Sequence, residues 1–539
     1  MLFTNYLKSI ESDLNYNIDK CDLSTYFKCN GNIHFNSELY NDINILSNLK
    51  IIDKTYTRFG HYYLKNKLLN PTNDQQQLLF NKKNIMLLNN HKYNWVTSKL
   101  KEIQSIQHSI IHIFDNEFTK NKHIEAIYFN DYFDRFNDND VILNYYNMFN
   151  IYYPIYHIFS PIILLIIPFI FKKIFPDFSF KNNLFFIFAG IPNMDMFQIN
   201  DFKQLIMTSL SILFFLYNSY MSIKQSEHTK IINKVIKTHL INMNKIIELS
   251  KEIYEFDNLG SNLKFSKFSD NLGLVSELNT VEKLNNDGKN MVLYKKIIHN
   301  KEDFLPYIKF IALNDYLISV NTLLNNGYSL PTYIQGESKL TILDMKHPYV
   351  ENCVANTIDI GNNTRSKNII LTGPNASGKS TVLKTILFNI ILAQTISVCN
   401  ATTMTFTPFK NIYSYLSKTD TLGKQSLFET EINNISDYLT RIQHGECSFI
   451  AIDEIMSGTN IEESTQIGKA IGKKLNSFKN NISMITTHNN KLTQLEKKNY
   501  STNYKMKIDN DYTYKLVNGV SNDFLGIKLL KEKHSEVFN

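Results

Sequence analysis

Four residues between positions 373 and 380 have the types and the spacing of a phosphate-binding loop. They are Gly373, Gly378, Lys379 and Ser380, which fit the pattern G-x-x-x-x-G-K-[ST]. Glycines let such a loop turn its backbone N–H groups toward phosphate oxygens, and the positive end of the following helix adds to the attraction. The lysine of this pattern reaches the β- and γ-phosphates, and the serine binds Mg²⁺. The pattern therefore predicts a site for ATP and Mg²⁺.

Two further polar sites each follow an apolar run that is suited to a buried strand. Asp453 and Glu454 follow Ser-Phe-Ile-Ala-Ile, and His488 follows Ile-Ser-Met-Ile-Thr-Thr. Asp453 is placed to hold the water shell of Mg²⁺, so the predicted metal-binding residues are Ser380 and Asp453. Glu454 is predicted to orient or deprotonate the attacking water, and His488 to sense the γ-phosphate. Each site alone has an ordinary explanation, a polar residue that meets solvent, but the three in this order predict ATP hydrolysis.

The sequence around the loop supplies the elements that hold it. Residues 369–371 form a short apolar run suited to a buried strand, and 382–392 repeat apolar residues at helical spacing. This order of strand, loop and helix is the context that the pattern needs. The predicted cofactor-binding residues are Gly373, Pro374, Asn375, Ala376, Ser377, Gly378, Lys379, Ser380 and Thr381.

Charge and cysteine content narrow the class of protein. The 539 residues carry a net charge of +7, which permits nucleic-acid binding without demanding it. The five cysteines are odd in number and scattered, without metal-ligand spacing. This pattern is typical of a reducing compartment and predicts an intracellular protein.

The loop and the two later polar sites resemble those of the MutS mismatch-repair ATPases, whose relatives include the ABC ATPases. The motifs keep the order and rough spacing of that family over the C-terminal third of the chain. The residues that carry the resemblance are 345–348, 372–381, 392–394, 419–420, 426–428, Glu431, 453–459 and 487–488. Three earlier segments resemble the MutS core, or lever, domain: 49–60, 68–71 and 312–324.

The resemblance implies that two ATPase domains pair head to tail. Ser426 of one chain would then close over the γ-phosphate held by the other, which makes Ser426 a predicted catalytic residue. The implied partners are a second copy or a related chain, and DNA. Among several departures from the family, one concerns the base: members tend to place an adenine-stacking aromatic near Cys353, and Cys353 cannot stack. The selectivity for the base is therefore open.

The apolar segment 151–221 is not what the resemblance implies. Its two uncharged stretches, 151–171 and 205–221, are each close to the roughly 20 residues that cross a bilayer. We predict a transmembrane hairpin, which would make the protein membrane-associated and place its ATPase on the cytosolic side. Lys172 and Lys173 argue against a full crossing, and a hairpin lying in the membrane interface is one alternative. A buried helical hairpin is the other.

These patterns divide the chain into five segments. We predict an N-terminal segment at 1–40, a helical core at 41–150, the apolar hairpin at 151–221, a second helical part at 222–335 and the ATPase domain at 336–539. The predicted fold class is an α/β P-loop domain of ABC/MutS type, C-terminal to a mainly α-helical core or lever domain with a transmembrane hairpin. The first segment is too short for a mismatch-reading domain, and it lacks a Phe-x-Glu wedge.

Two classes of function follow from this organisation. The first is a MutS-like, DNA-binding ATPase that dimerises through its nucleotide sites and acts in DNA repair or recombination. The second is a membrane-tethered, ABC-like mechanical ATPase that does not act on DNA mismatches. DNA-stimulated ATP turnover would discriminate between them.

Overall fold

The computed structural model describes most of the chain. The described residues are 6, 21–88, 90–115, 121–174, 202–256, 273–281, 286–362, 366–416, 427–442, 445–456, 459–509 and 511–521. Most of the predicted link between the two apolar stretches, and the predicted catalytic residue Ser426, lie outside these ranges.

The contacts divide the chain into two compact units. We call residues 1–23, 102–261 and 266–308 the helical unit, and residues 24–101, 262–265 and 309–539 the sheet unit. The five segments proposed from the sequence remain predictions.

The described α-helices and strands have the following bounds. The helices are α1 (Leu39–Asp42), α2 (Leu49–Ile52), α3 (Arg58–Leu69), α4 (Gln75–Met86), α5 (Asn90–Ile106), α6 (His108–Ile111), α7 (Lys122–Glu125), α8 (Asp140–Ile174), α9 (Phe202–Glu255), α10 (Gly273–Leu278), α11 (Asp287–His299), α12 (Leu305–Asn325), α13 (Lys379–Thr395), α14 (Leu427–Arg441) and α15 (Ile461–Asn476). The strands are β1 (His34–Phe35), β2 (Thr332–Tyr333), β3 (Leu340–Met345), β4 (Asn356–Ile360), β5 (Asn368–Thr372), β6 (Thr403–Phe406), β7 (Asn411–Tyr415), β8 (Ser448–Ile452), β9 (Asn481–Thr486), β10 (Thr502–Asp509) and β11 (Asp511–Asn518).

A seven-stranded sheet with the order β1-β7-β8-β9-β5-β10-β11 organises the sheet unit. Its neighbouring strands run parallel except for the antiparallel pair β10–β11. Every residue of β5, β8 and β9 is buried, in agreement with the buried strands predicted from the sequence. A second sheet has the order β2-β6-β3-β4. The mixed sheets confirm an α/β fold for this part of the chain.

The strand order brings the three predicted polar sites together. Strand β9 pairs with β8 on one side and with β5 on the other, and all three run parallel. The phosphate-binding loop directly follows β5, and Asp453 directly follows β8. His488 lies two residues after the end of β9. The carboxyl ends of parallel strands form one edge of a sheet, where ligands of open α/β folds bind. The sheet therefore gathers the candidate site.

Helix α13 is the central helix of the sheet unit. It begins at Lys379, and nearly all of its residues from Val382 onward are buried. At its far end the amide of Gln394, which is fully buried, donates to the carbonyls of Thr72 at 3.0 Å and Phe409 at 2.9 Å. The N–H of Phe409 donates back to Gln394 at 3.0 Å. Gln394 thus joins the end of α13 to the segment before α4, at Thr72, and to the segment before β7, at Phe409.

A buried carboxylate, Asp315, joins α12 to the first turn of α3. It accepts hydrogen bonds from the N–H of Tyr56 at 2.9 Å, the N–H of Thr57 at 2.7 Å and the hydroxyl of Thr57 at 2.6 Å. A side chain at Gly60 would place its Cβ 2.2 Å from Asp315, so this position requires glycine. Burial raises the pKa of Asp315 to about 6, against the lowering effect of its hydrogen bonds.

Replacing Asp315 by alanine is expected to lower the free energy of unfolding by about 3 kcal/mol, because buried donors lose their acceptor. Urea unfolding at pH 7.5 measures the change. The matched control is Asp509→Ala, since the side chain of Asp509 is 68% exposed. Equal unfolding midpoints for the two variants would contradict this role for Asp315.

Helices α8 and α9 of the helical unit run antiparallel. Successive contacts join Asn147 to Asn233 at 3.0 Å, the carbonyl of Ile151 to Ser226 at 2.7 Å, and His157 to Ser219 at 3.2 Å. As the residue number rises along α8 it falls along α9, so the two helices form a hairpin. The helical character predicted for this region agrees with the structure.

The predicted transmembrane hairpin at 151–221 does not gain support from these helices. None of the helices among the described residues combines the length and the apolar character of a membrane span. The two helices also contact each other through aromatic rings, since His157 of α8 stacks on Phe215 of α9 at a centroid distance of 5.2 Å. The membrane partner and the membrane-associated location predicted from this segment therefore also lack support.

Histidines in the core of the helical unit form a buried pair. The Nδ1 atoms of His112 and His239 are 3.0 Å apart, and His112 Nε2 is 2.8 Å from the hydroxyl of Tyr294. Two imidazoles can share this contact only while one nitrogen lacks its proton. Burial, followed by the neighbouring His108, lowers the pKa of His239 to about 3, and burial also holds the pKa of His112 well below its ordinary value.

This pair is expected to make the helical unit sensitive to acid. Both histidines have a lower pKa in the folded protein than the ordinary value of about 6.5. Their contribution to the free energy of unfolding is therefore complete above pH 6.5 and is lost as the pH falls toward the folded-state pKa values. At pH 5 we expect a loss of roughly 2 kcal/mol from His239, and a further loss from His112 in the same direction. Urea unfolding followed by helix circular dichroism at pH 7.5 and 5.0 measures this loss. His239→Leu should reduce the difference between the two pH values, and an unchanged difference would contradict the assignment.

Candidate functional site

The phosphate-binding loop connects β5 to α13 and has the backbone conformation that its glycines allow. Gly378, directly before α13, has a φ of 97°, which favours glycine, and Ala376 also has a positive φ of 62°. Helix α13 starts at Lys379, so the unpaired N–H groups of its first turn lie beside the loop. The loop and the helix end together form a concave surface suited to an anion.

The ammonium of Lys379 lies inside this loop. Lys379 is 6% exposed, and its Nζ donates to the carbonyls of Gly373 at 3.0 Å and Pro374 at 3.1 Å. Burial lowers the pKa of Lys379, and the carboxylates of Glu454 and Asp453 oppose that shift. The loop thus surrounds a buried positive charge.

Asp453 connects the start of α13 with the end of β9. One of its oxygens accepts a hydrogen bond from Ser380 Oγ at 2.5 Å, and the other accepts from the hydroxyl of Thr486. The N–H of Asp453 donates to Tyr415 on the neighbouring strand at 2.9 Å. Hydroxyl and carboxylate oxygens are ligands that Mg²⁺ prefers, and in this geometry they are adjacent.

Glu454 and His488 lie beside Lys379 at the same edge of the sheet. Glu454 Oε1 and Lys379 Nζ are each 3.3 Å from His488 Nε2. Burial and then Lys379 lower the pKa of His488, whereas Glu454 raises it. A neutral imidazole nitrogen can accept from Lys379 or donate to Glu454, but not both at once. His488 can therefore change its hydrogen-bond partner when an anion approaches.

The backbone holds Glu454 in an unusual conformation. Its φ is 53°, a region that residues other than glycine seldom adopt, and its N–H donates to Thr486 Oγ1 at 2.8 Å. Its side chain remains 43% exposed. Backbone strain of this kind clusters at functional sites, where the surrounding structure holds it.

The residues present fit ATP and Mg²⁺. A cavity of about 790 Å³ lies over the loop, and its lining includes Ser377, Ser380, Thr381 and Glu454. Ser377 Oγ is buried and has no hydrogen-bond partner among the described residues. A phosphate oxygen would supply that partner. The donor set of amide, hydroxyl and ammonium groups matches a phosphate chain, and Ser380 with Asp453 matches a hard cation.

The structure places almost all of the predicted site residues at one edge of the sheet. The loop residues, Asp453, Glu454 and His488 lie together there, while Ser426 falls outside the described residues. Their roles remain predictions. The sequence analysis did not predict two further residues of this region: Thr486, whose hydroxyl donates to Asp453, and Tyr514, which lines the cavity. Thr486 is the last residue of β9, a position that a search for strand ends could have found, whereas nothing in the sequence singles out Tyr514.

Comparison with known proteins agrees with this geometry. Residues 369–534 match the family model described as MutS domain V. The chain is 29% identical over 237 residues to the DNA mismatch repair protein MutS of Clostridium tetani (strain Massachusetts / E88), a match that covers 41% of this chain and 26% of that relative. It is 28% identical over 249 residues to MutS of Thermotoga sp. (strain RQ2), covering 44% of this chain and 30% of the relative.

These similarities are confined to part of each protein. The matched region spans only 26% to 30% of the length of the two relatives. The predicted phosphate-binding loop, Asp453 and His488 all lie within the residues that match MutS domain V. Residues 369–534 of this chain are therefore similar to MutS domain V.

Proposed function

We propose that this protein is a MutS-like ATPase that binds and hydrolyses ATP with Mg²⁺, dimerises through its nucleotide sites and acts on DNA in repair or recombination. The observation that carries the proposal is the convergence of Lys379, Ser380, Asp453, Glu454 and His488 at one edge of the sheet. Groups for phosphate, cation and water thus lie side by side.

Each of these residues has a distinct part in the proposed reaction. Lys379 and the first-turn N–H groups of α13 bind phosphate oxygens. For the ammonium of Lys379, these charged oxygens replace the neutral carbonyls of Gly373 and Pro374 as hydrogen-bond acceptors. Ser380 and Asp453 would hold Mg²⁺. When bound, that ion neutralises charge that develops on the phosphate oxygens. Glu454 accepts a proton from the attacking water, and His488 donates to the γ-phosphate region.

Dimerisation completes this site in the proposal. Ser426 of a second copy, or the equivalent residue of a related chain, would close over the γ-phosphate. The proposal rests on the resemblance of 426–428 to the family motif and on the match to MutS domain V. The chain should therefore associate more strongly with ATP than without nucleotide, which light scattering measures.

Binding to DNA is supported by the names of the relatives and by positive charge. The matched relatives are named DNA mismatch repair proteins, and this chain carries a net charge of +7. In α9, Ile232 and Ile236 are buried, whereas Lys230 and Lys234 are exposed on the opposite side. Exposed lysines can neutralise DNA phosphates and release counterions.

ATP turnover against a panel of duplex, mismatched and branched DNA tests the proposal. We expect at least one DNA to raise the rate at low salt, and we expect the effect to fall as salt rises, because phosphate contacts are screened. Turnover that no DNA changes would instead favour an ABC-like mechanical ATPase. Absence of any turnover would contradict both.

A further inference from the structure

Tyr514 has a backbone conformation that its residue type disfavours. Its φ is 54°, in the left-handed region that a bulky aromatic seldom adopts. Such an outlier persists only where surrounding contacts hold it, and these outliers cluster at ligand sites. The position of Tyr514 therefore requires an explanation beyond the stability of β11.

An irregularity in the β10–β11 hairpin turns Tyr514 out of the ladder. Lys515 pairs with Lys507 and Tyr512 pairs with Ile508, so residues 513 and 514 of β11 face no residue of β10. The hydroxyl of Thr513 donates to the carbonyl of Lys507 at 2.6 Å and holds the extra residues in place. Bulges beside active sites commonly redirect a side chain.

The redirected ring lies against the phosphate-binding loop. A Cβ built on Gly378 would be 3.4 Å from Cδ1 of Tyr514, and Tyr514 lines the cavity that also contains Ser377 and Thr381. The ring is stacked with that of Tyr512, at a centroid distance of 6.0 Å and an interplanar angle of 21°. Tyr514 remains 47% exposed and lines the cavity, so its side chain is accessible to a ligand there.

Among the described residues, the part of the cavity lining between Met345 and Asn356 carries no aromatic ring. The Sγ atom of Cys353 accepts a hydrogen bond from the N–H of His347 at 3.2 Å, which holds the thiol against its own loop. Asn356 fixes that loop to β11, because its amide donates to the carbonyl of Tyr514 at 3.0 Å and its oxygen accepts from the N–H of Leu516 at 2.7 Å. Val350, which is 44% exposed, also lines the cavity.

We propose that Tyr514 is the residue that holds the base of the bound nucleotide, by stacking its ring on the base. This inference rests on the proposed ATPase function and names the residue that replaces the aromatic missing near Cys353. Every nucleobase has a π-face, so stacking gives affinity with little selection between bases. Tyr514 would contribute to binding of the nucleoside and not to binding of the phosphates.

Two ligands that differ only in the nucleoside test this inference. Calorimetric titration of the full chain with ADP and with pyrophosphate, both with Mg²⁺, separates the base from the phosphates. The variants are Tyr514→Ala, Tyr514→Gly and Tyr514→Phe. Glycine adopts a positive φ readily, so Tyr514→Gly removes the ring and also relieves the backbone strain. Its thermal unfolding midpoint, compared with that of Tyr514→Ala, checks that the fold is retained.

We expect Tyr514→Ala and Tyr514→Gly to weaken ADP binding by roughly 5- to 150-fold and to leave pyrophosphate binding unchanged. Tyr514→Phe should bind both ligands as the unaltered protein does. Unchanged ADP binding, or an equal loss for ADP and pyrophosphate, would overturn the inference, since an equal loss indicates support of the loop. If the unaltered protein binds neither ligand, the proposed ATPase function itself fails.

Discussion

Replacing Glu454 by glutamine is expected to lower the rate of ATP hydrolysis by about 10²- to 10⁴-fold while leaving ATP binding intact. The amide keeps the size and the hydrogen-bonding reach of the carboxylate but cannot accept a proton from water. The side chain of Glu454 is 43% exposed in the cavity and lies 3.3 Å from His488, so the substitution neither creates a void nor removes a buried charge. The loss should therefore appear in kcat and not in KM.

The same substitution is expected to stabilise an ATP-bound dimer, because hydrolysis would no longer reopen it. Light scattering with ATP and Mg²⁺ should show a larger dimer fraction for Glu454→Gln than for the unaltered protein. Glu351→Gln is the matched control, since Glu351 lines the same cavity from the loop between β3 and β4. Normal turnover by Glu454→Gln, or an equal loss in the control, would show that another group activates the water.

The candidate site could be predicted from the sequence because its residues follow elements with strong local patterns. The loop follows β5, Asp453 follows β8 and His488 follows β9. These three strands are buried along their whole length and rich in apolar residues, and polar residues follow each of them. Parallel strands then bring those ends together. Tyr514 could not be predicted in this way, because its position depends on an irregular pairing between β10 and β11.

Other parts of the fold could not be predicted because apolar composition has several structural meanings. The segment 205–221 is predicted from its hydropathy to be a membrane span, and in the structure it is part of the long helix α9, whose Phe215 stacks on His157 of α8. Leu213 and Phe214 are each 62% exposed in this helix. Hydropathy alone therefore does not show which apolar side chains of this helix are exposed and which make contacts.

Contacts between residues distant in the sequence were also beyond the sequence patterns. Asp315 and Thr57 are separated by 258 positions, and neither stands out from its surroundings as a member of a buried pair. The resemblance of their two segments to one family domain indicated that both belong to a core. It did not indicate that the carboxylate of Asp315 accepts hydrogen bonds from the N–H groups just before α3.

Replacing Lys379 by alanine is expected to weaken ATP binding by roughly 30- to 5,000-fold, the range for truncating one partner of a buried, hydrogen-bonded charge pair. Lys379 is the buried cation of the loop, and its removal would leave the phosphates without their closest positive charge. Burial lowers the pKa of Lys379 while its Nζ donates to two loop carbonyls, so the effect of its removal on the protein without nucleotide must be measured separately.

Thermal unfolding with and without ATP separates these two effects. The unaltered protein should gain stability with ATP through mass action, whereas Lys379→Ala should unfold at a similar temperature in both conditions. Lys384→Ala is the matched control because Lys384 lies on the same helix, α13, outside the cavity lining, and it should respond to ATP normally. An ATP-induced shift of equal size in Lys379→Ala would mean that the loop does not bind phosphate through this lysine. The assignment of residues 373–381 as the nucleotide site would then fail, and with it the argument that Asp453 and Glu454 face a bound nucleotide.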